Sequence, residues 1–249
     1  MKAMILAAGC SSRLGDLGRR IPKPMLPFFD KPLLEYVIFL LEQHGFNDLM
    51  INLFHLPDLI KNYFGKGTRW RVNITYSLET QLLGTAGAVS NVAEHFDGPF
   101  LVYYGDNLAN IDLTDLWESH QSSNAIATIG LIRMDDPTTR GIIGLDENYI
   151  IDRIIEKPEK EQIFDNYWVN SGCYIIEPEV FNQIPKIVPL DFSGDVFPLL
   201  LANKLPLRGH PLKGQLLSTD TPKRYKDALN AVIEGSFTLP QSGFSDDLH

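Results

Sequence analysis

Residues 2–15 read Lys2-Ala3-Met4-Ile5-Leu6-Ala7-Ala8-Gly9-Cys10-Ser11-Ser12-Arg13-Leu14-Gly15, a short apolar run that opens into small residues, a cation and a glycine. A strand ending in Ala, Gly and Ser lets backbone N–H groups approach an anion, and Arg13 adds a fixed positive charge. Ordinary strand-to-helix turns begin the same way, so this loop alone leaves the function open. The glycine spacing is not Gly-x-Gly-x-x-Gly, which disfavours a dinucleotide-dependent oxidoreductase, and the P-loop pattern is absent as well.

Outward from that strand, β-rich runs alternate with helical patterns through the first half: Lys2 to Leu6, Leu33 to His44, Leu49 to Leu53, Leu56 to Phe64, Val72 to Tyr76, Ala86 to Phe96 and Phe100 to Tyr104. That alternation predicts a parallel sheet. Pro32 suits a first helical position, and Gly45 and Gly65 follow the periodic residues as stops. The second half adds strand-like segments at Ala125 to Ile132, Ile150 to Glu156 and Trp168 to Ile176, with helices expected at Pro178 to Ile184 and Pro222 to Ile233. The expected class is α/β, a doubly wound, mostly parallel, Rossmann-like sheet with a mixed extension and a ligand crevice at the strands' carboxyl ends. One domain over residues 1–234 is expected, followed by a flexible polar tail over 235–249.

The apolar runs, such as Tyr36 to Leu41 and Pro198 to Ala202, are far short of a membrane span, and the N-terminus lacks a signal-peptide layout; a cytoplasmic protein without a membrane partner is expected. Cys10 and Cys173, the only cysteines, have no metal-ligand spacing and read as packing residues. A formal net charge of -9 argues against nucleic acid as a partner. It leaves room for anionic small molecules, which need only a few local cations, N–H groups and a metal.

The next informative stretch is Ile21-Pro22-Lys23-Pro24-Met25-Leu26-Pro27, where prolines on both sides stiffen the chain around Lys23. Taken with the Arg13 loop, this lysine is expected to be held for a purpose, whereas a lone loop lysine would be a solvated charge.

These segments, MILAAGCSSRLG and PKPMLPFFDKPLLEY, resemble the signature of the sugar-phosphate nucleotidyltransferases. The resemblance continues through Leu83-Gly84-Thr85-Ala86-Gly87-Ala88, Tyr104-Gly105-Asp106, Ile155-Glu156-Lys157-Pro158 and Trp168-Val169-Asn170-Ser171-Gly172, and within the family it is closest to the mannose-1-phosphate guanylyltransferase-like enzymes. It implies a reaction of a nucleoside triphosphate with a sugar 1-phosphate, giving an NDP-sugar and pyrophosphate, with Mg2+ as cofactor. The mixed extension would then bind the sugar. Arg13, Lys23 and Asp106 would be catalytic, Asp106 holding the metal. Leu6, Ala7, Ala8, Gly9, Glu79, Gly84 and Thr85 would bind the nucleotide, with Glu79 at the position that reads the base. A carboxylate there accepts from the two neighbouring donors of guanine, so GTP is favoured. Gly141, Glu156, Lys157, Asn170 and Gly172 would bind the sugar phosphate. The resemblance leaves the sugar, mannose, heptose or a relative, and any homo-oligomer open.

One segment departs from the family. In Gly214-Gln215-Leu216-Leu217-Ser218-Thr219-Asp220-Thr221-Pro222 the usual second metal-binding aspartate falls on Ser218. Asp220, two residues on, would share the same face of a strand and reach toward the metal, or it would cap the helix at Pro222. The first reading makes Asp106 and Asp220 the metal pair. The departure also leaves a catalytically weak, regulatory nucleotide-sugar-binding protein as the alternative.

Overall fold

The computed structural model describes residues 1–9, 20–138 and 140–241. Their contacts divide the chain into two compact units. One comprises Met1–Gln81, Tyr104–Leu113 and Gly214–His249; the other comprises Leu82–Tyr103 and Thr114–Lys213. No helix among the described residues is long and apolar enough to cross a membrane.

The first unit is organised by parallel strands. Strand Lys2–Leu6 pairs with Asp48–Leu53, Ile5 opposite Ile51, and that strand pairs in turn with Asn73–Leu78. Ala3, Met4, Ile5, Leu49 and Ile51 are each fully buried, as expected of a parallel strand covered on both faces. Burying each of the larger side chains contributes about 1.5–3 kcal/mol. Helix Leu33–Gln43 is the crossover between the first two strands, and every residue from Leu33 to Leu41 is buried. Pro32 stands just before the helix, at its N-cap. Its one buried acid, Glu35, accepts from the Tyr63 hydroxyl at 2.7 Å. Later the chain returns: Asn107–Ala109 pairs antiparallel with Leu216–Ser218, and helix Pro222–Ile233 follows. Beyond Gly235, Phe237 is buried, and Gln43 donates to the Gln241 carbonyl at 2.7 Å.

The second unit is a mixed sheet. Strand Trp168–Ile176 runs antiparallel to Phe100–Tyr104 and to Ala127–Ile132, while Leu207–Pro211 lies parallel to the latter. Ile142–Leu145 pairs with Ile151–Ile155 and touches the start of Trp168–Ile176. Tyr174 of this sheet joins an aromatic cluster, with ring centroids 4.9 Å apart for Tyr174 and Phe197 and 5.4 Å for Phe192 and Phe197. Cys173 is fully buried, and the other cysteine, Cys10, lies outside the described residues.

The α/β class is as the sequence predicts, but several elements differ. The helix expected over Ala86 to Phe96 covers only Thr85–Ser90, before a single 3-10 turn at Ala93–His95. Pro178 to Ile184 is likewise a 3-10 turn, Pro178–Asn182, with only Val180 buried. One buried residue gives a longer helix no apolar stripe to be held by, and short helices depend on such packing.

Candidate active site

The expected site residues fall into two groups. Leu6, Ala7, Ala8, Gly9, Lys23, Glu79, Asp106 and Asp220 belong to the first unit; Gly84, Thr85, Gly141, Glu156, Lys157, Asn170 and Gly172 belong to the second. Arg13 lies outside the described residues.

In the first unit, Leu6 ends the opening strand and Ala7, Ala8 and Gly9 leave it. The Leu6 carbonyl accepts from the Gly105 amide at 3.0 Å, which ties the end of that strand to the turn carrying Asp106. Lys23 sits in a 3-10 turn, Lys23–Met25, opened by the extended Pro22. It is only 8% exposed, so it is not a solvated loop charge, and its ammonium contacts the Asp106 carboxylate. Asp106 is fixed from its backbone too, since Thr219 Oγ1 donates to its carbonyl at 2.9 Å.

Asp220 is held differently. Arg224 Nη1 donates to both of its oxygens, at 2.9 and 3.1 Å, and the Ser218 hydroxyl donates to Oδ1 at 2.9 Å. Burial alone would raise this carboxyl, but those hydrogen bonds and the charges of Arg224 and Lys23 bring it down to about 2. The cap of the closing helix is Thr221, whose hydroxyl accepts from the Arg224 amide at 3.2 Å, so Asp220 is not the capping residue. Among the described residues no three potential metal ligands of the His, Cys, Asp and Glu types cluster. Mg2+ needs only one or two carboxylates when substrate phosphates and water complete its shell. Two carboxylates that both feel the Lys23 charge, with a hydroxyl between them in sequence, fit that demand in kind.

Glu79 is 6% exposed and accepts from Asn52 Nδ2 at 2.7 Å. Asn52 Oδ1 accepts from the Ala7 amide at 2.8 Å, which fixes the amide's orientation and aims its NH2 at the carboxylate. Glu79 is therefore joined to the first loop, and a solvated role for it is excluded.

In the second unit, Gly84 has φ +77°, and an added Cβ would lie 2.4 Å from the Leu190 carbonyl oxygen, so only glycine fits there. Thr85 Oγ1 donates to Asp191 Oδ2 at 3.1 Å and accepts from the Phe192 amide at 2.9 Å. Its hydroxyl is thus occupied within the protein. Asn170 is buried; its amide Nδ2 donates to Ser193 Oγ at 2.8 Å, and its Oδ1 accepts from the Gly172 amide at 2.9 Å. The pairing of this strand with Ala127–Ile132 breaks between Asn170 and Tyr174, and such bulges turn side chains out of the ladder. Lys157 is exposed with φ +45°, its amide donating to the Arg140 carbonyl at 3.2 Å.

Glu156 is the group with an unmet demand. Its Oε2 is buried without a hydrogen-bond partner among the described residues. A Cβ at Gly141 would stand 2.7 Å from that oxygen, so the glycine leaves it room. Burial, then the nearby Asp191 charge, push the carboxyl up, with Lys157 working against them. A buried acceptor left unpaired costs about 1–3 kcal/mol, and a ligand hydroxyl in that place would recover it.

The sequence reading missed Asn52, Thr219, Arg224, Asp191 and Ser193, which orient the expected residues. Asn52 carried a signal, a lone amide at the end of the apolar run Leu49 to Ile51; Thr219 and Asp191 in irregular stretches, Ser193 in a single helical turn and Arg224 in the first turn of helix Pro222–Ile233 carried none.

The family model described as nucleotidyl transferase matches residues 2–228. A UTP–glucose-1-phosphate uridylyltransferase from Synechocystis is 39% identical over 247 residues, covering 94% of this chain and 63% of the relative. A mannose-1-phosphate guanylyltransferase from Mycobacterium tuberculosis is 32% identical over 202 residues, covering 81% of this chain and 55% of its own length. The chain thus spans less than two thirds of these curated relatives. Among solved structures, HddC from Yersinia pseudotuberculosis complexed with GMP-PN superposes with a TM-score of 0.76 at 25% identity, over 93% of this chain and 99% of that one.

Proposed function

The chain belongs to the nucleotidyl transferase family, and we propose that it joins a nucleoside triphosphate to a sugar 1-phosphate, releasing pyrophosphate and an NDP-sugar. The observation that carries the reading is the Lys23–Asp106 pair: a nearly buried lysine, fixed by prolines, against the carboxylate that follows a buried strand. The activities for which both curated relatives are named support it.

A sugar 1-phosphate has a second pKa of about 6 and is mostly dianionic at neutral pH, so it needs no general base. The work left to the protein is alignment and charge stabilisation. Lys23, and Arg13 by the family pattern, neutralise triphosphate charge, while the Ala7 to Gly9 backbone, anchored by Asn52, receives the nucleotide. Glu156 accepts a sugar hydroxyl at its unpaired oxygen, Lys157 meets the sugar phosphate, and Asn170, Gly172 and Gly141 shape the same subsite. Asp106 and Asp220 would hold magnesium, which would supply neutralisation of phosphoryl oxygens when bound.

We read the base as guanine, on the strength of the Glu79 carboxylate. The relative named as a uridylyltransferase favours a second reading, uracil. Relative kcat/KM for GTP and UTP decides between them: a guanine site prefers GTP by about 1 to 3 kcal/mol and loses that preference in Glu79→Gln, whereas equal or better use of UTP removes the guanine reading.

A further inference from the structure

The nucleotide segment and the sugar segment of the second unit are joined by one turn that neither motif contains. Leu190 docks on the first: its carbonyl accepts from the amides of Ala86 and Gly87 at 2.9 and 3.1 Å, and its amide donates to Leu83 at 2.9 Å. Asp191 comes next. Its Oδ2 accepts from Thr85, and its Oδ1 accepts from the Ser193 amide at 3.0 Å. Ser193 Oγ then takes the Asn170 amide, whose other end holds Gly172. A continuous run of hydrogen bonds therefore leads from Thr85 through Asp191 and Ser193 to Asn170.

Capping a helical turn needs only one acceptor oxygen, and a Ser or Asn would serve. Asp191 uses both of its oxygens, one for the turn and one for a hydroxyl 106 residues away in the chain. A serine or an asparagine in its place would bring only one accepting oxygen. The same charge also acts on Glu156, the group with the unpaired buried oxygen. We propose that Asp191 is a positioning residue that couples the two substrate subsites, holding Gly84 and Thr85 in register with Asn170 and Gly172; this rests on the nucleotidyltransferase reading. Loss of Asp191 then weakens both substrates together, although Asp191 itself touches neither.

The test is steady-state kinetics by pyrophosphate release, with Mg2+ and with GTP or UTP against mannose 1-phosphate or glucose 1-phosphate. Removing a charged hydrogen-bond partner is expected to raise both KM values of Asp191→Ala about 10-fold, with a smaller change in kcat. Ser193→Ala, which cuts the run on the sugar side only, raises the KM for the sugar 1-phosphate alone. A merely structural Asp191 would lower the active fraction, and so kcat, and leave both KM values unchanged. Should Asp191→Ala fail to fold, Asp191→Asn carries the test, because it keeps the volume and one acceptor; both KM values rise severalfold while its circular dichroism matches wild type. A rise in only one KM, or in neither, with an active wild type overturns the coupling. Turnover of no substrate pair by wild type overturns the reaction reading, and the proposal with it.

Discussion

A lysine between two prolines has little freedom to leave its place, and Lys23 uses that constraint to hold its charge against Asp106 at 8% exposure. A cation preorganised in this way acts on developing phosphate charge without first having to be gathered from solvent. Lys23→Ala is expected to cut kcat about 100-fold or more, with circular dichroism unchanged; near-normal turnover in a pyrophosphate assay would remove Lys23 from the chemistry. Glu156 has a different signature, a buried carboxyl oxygen left unpaired at a cost in stability. Its carboxyl lies above its ordinary value of 4.5, so the folded state favours the proton, and the group costs stability as pH rises through the shifted value. Glu156→Gln is expected to melt higher than wild type at neutral pH, to lose that advantage below pH 4.5, and to bind sugar 1-phosphate more weakly. Equal melting at pH 7 would show that the unpaired oxygen carries no penalty. Lys23 and Glu156 were legible because their motifs are contiguous. Asn52 and Asp191 were not, since what they do depends on partners 45 and 106 residues away.

At the scale of elements, the Leu216–Ser218 strand and the helix after it show how a departure from a family pattern is absorbed. Ser218 cannot supply a carboxylate, but its hydroxyl turns to Asp220, and Arg224, one helical turn on, grips the same group. The sequence reading weighed metal binding against capping for Asp220 and overlooked the arginine, because an i,i+4 pair that starts before a helix is invisible until the helix start is known. Thr221 takes the cap. Asp220 is depressed from 3.8 to about 2, so its contribution to stability is complete above pH 3.8 and is lost as pH falls toward 2. Arg224→Gln should flatten that acid limb of a melting-temperature profile. It should also lower the Mg2+ concentration needed for half-maximal activity, as Asp220 is released from its cation. An unchanged Mg2+ requirement would mean that Asp220 takes no part in holding the metal. The opening strand and the strand at Phe100 were read closely, because buried strands are continuous apolar runs, and the strand at Trp168 was read from the apolar residues that flank Asn170 to Gly172. Leu207–Pro211 was missed; its Arg208, Gly209 and His210 break any such run.

For the whole molecule, an excess of acidic residues stands beside proposed substrates that are themselves anions. The formal charge of -9 is a property of the surface sum, while the cations of the proposed site, Lys23, Arg224 and Lys157, are placed one at a time. Composition argued against nucleic acid as a partner, and the motifs pointed to a chemistry; the base was read from Glu79 alone and the sugar not at all, because contacts between side chains distant in sequence, such as Asn52 to Glu79, are not written in any one motif. The curated relatives divide on the same point, one named for UTP and glucose 1-phosphate, another for guanylyl transfer to mannose 1-phosphate. The most direct measurement is pyrophosphate release by the purified chain across a matrix of nucleoside triphosphates and sugar 1-phosphates, with and without Mg2+. The account predicts Mg2+-dependent turnover with at least one pair, GTP preferred over UTP, and a loss of about 100-fold or more in Lys23→Ala. Absence of pyrophosphate release with every pair at every Mg2+ concentration would contradict it.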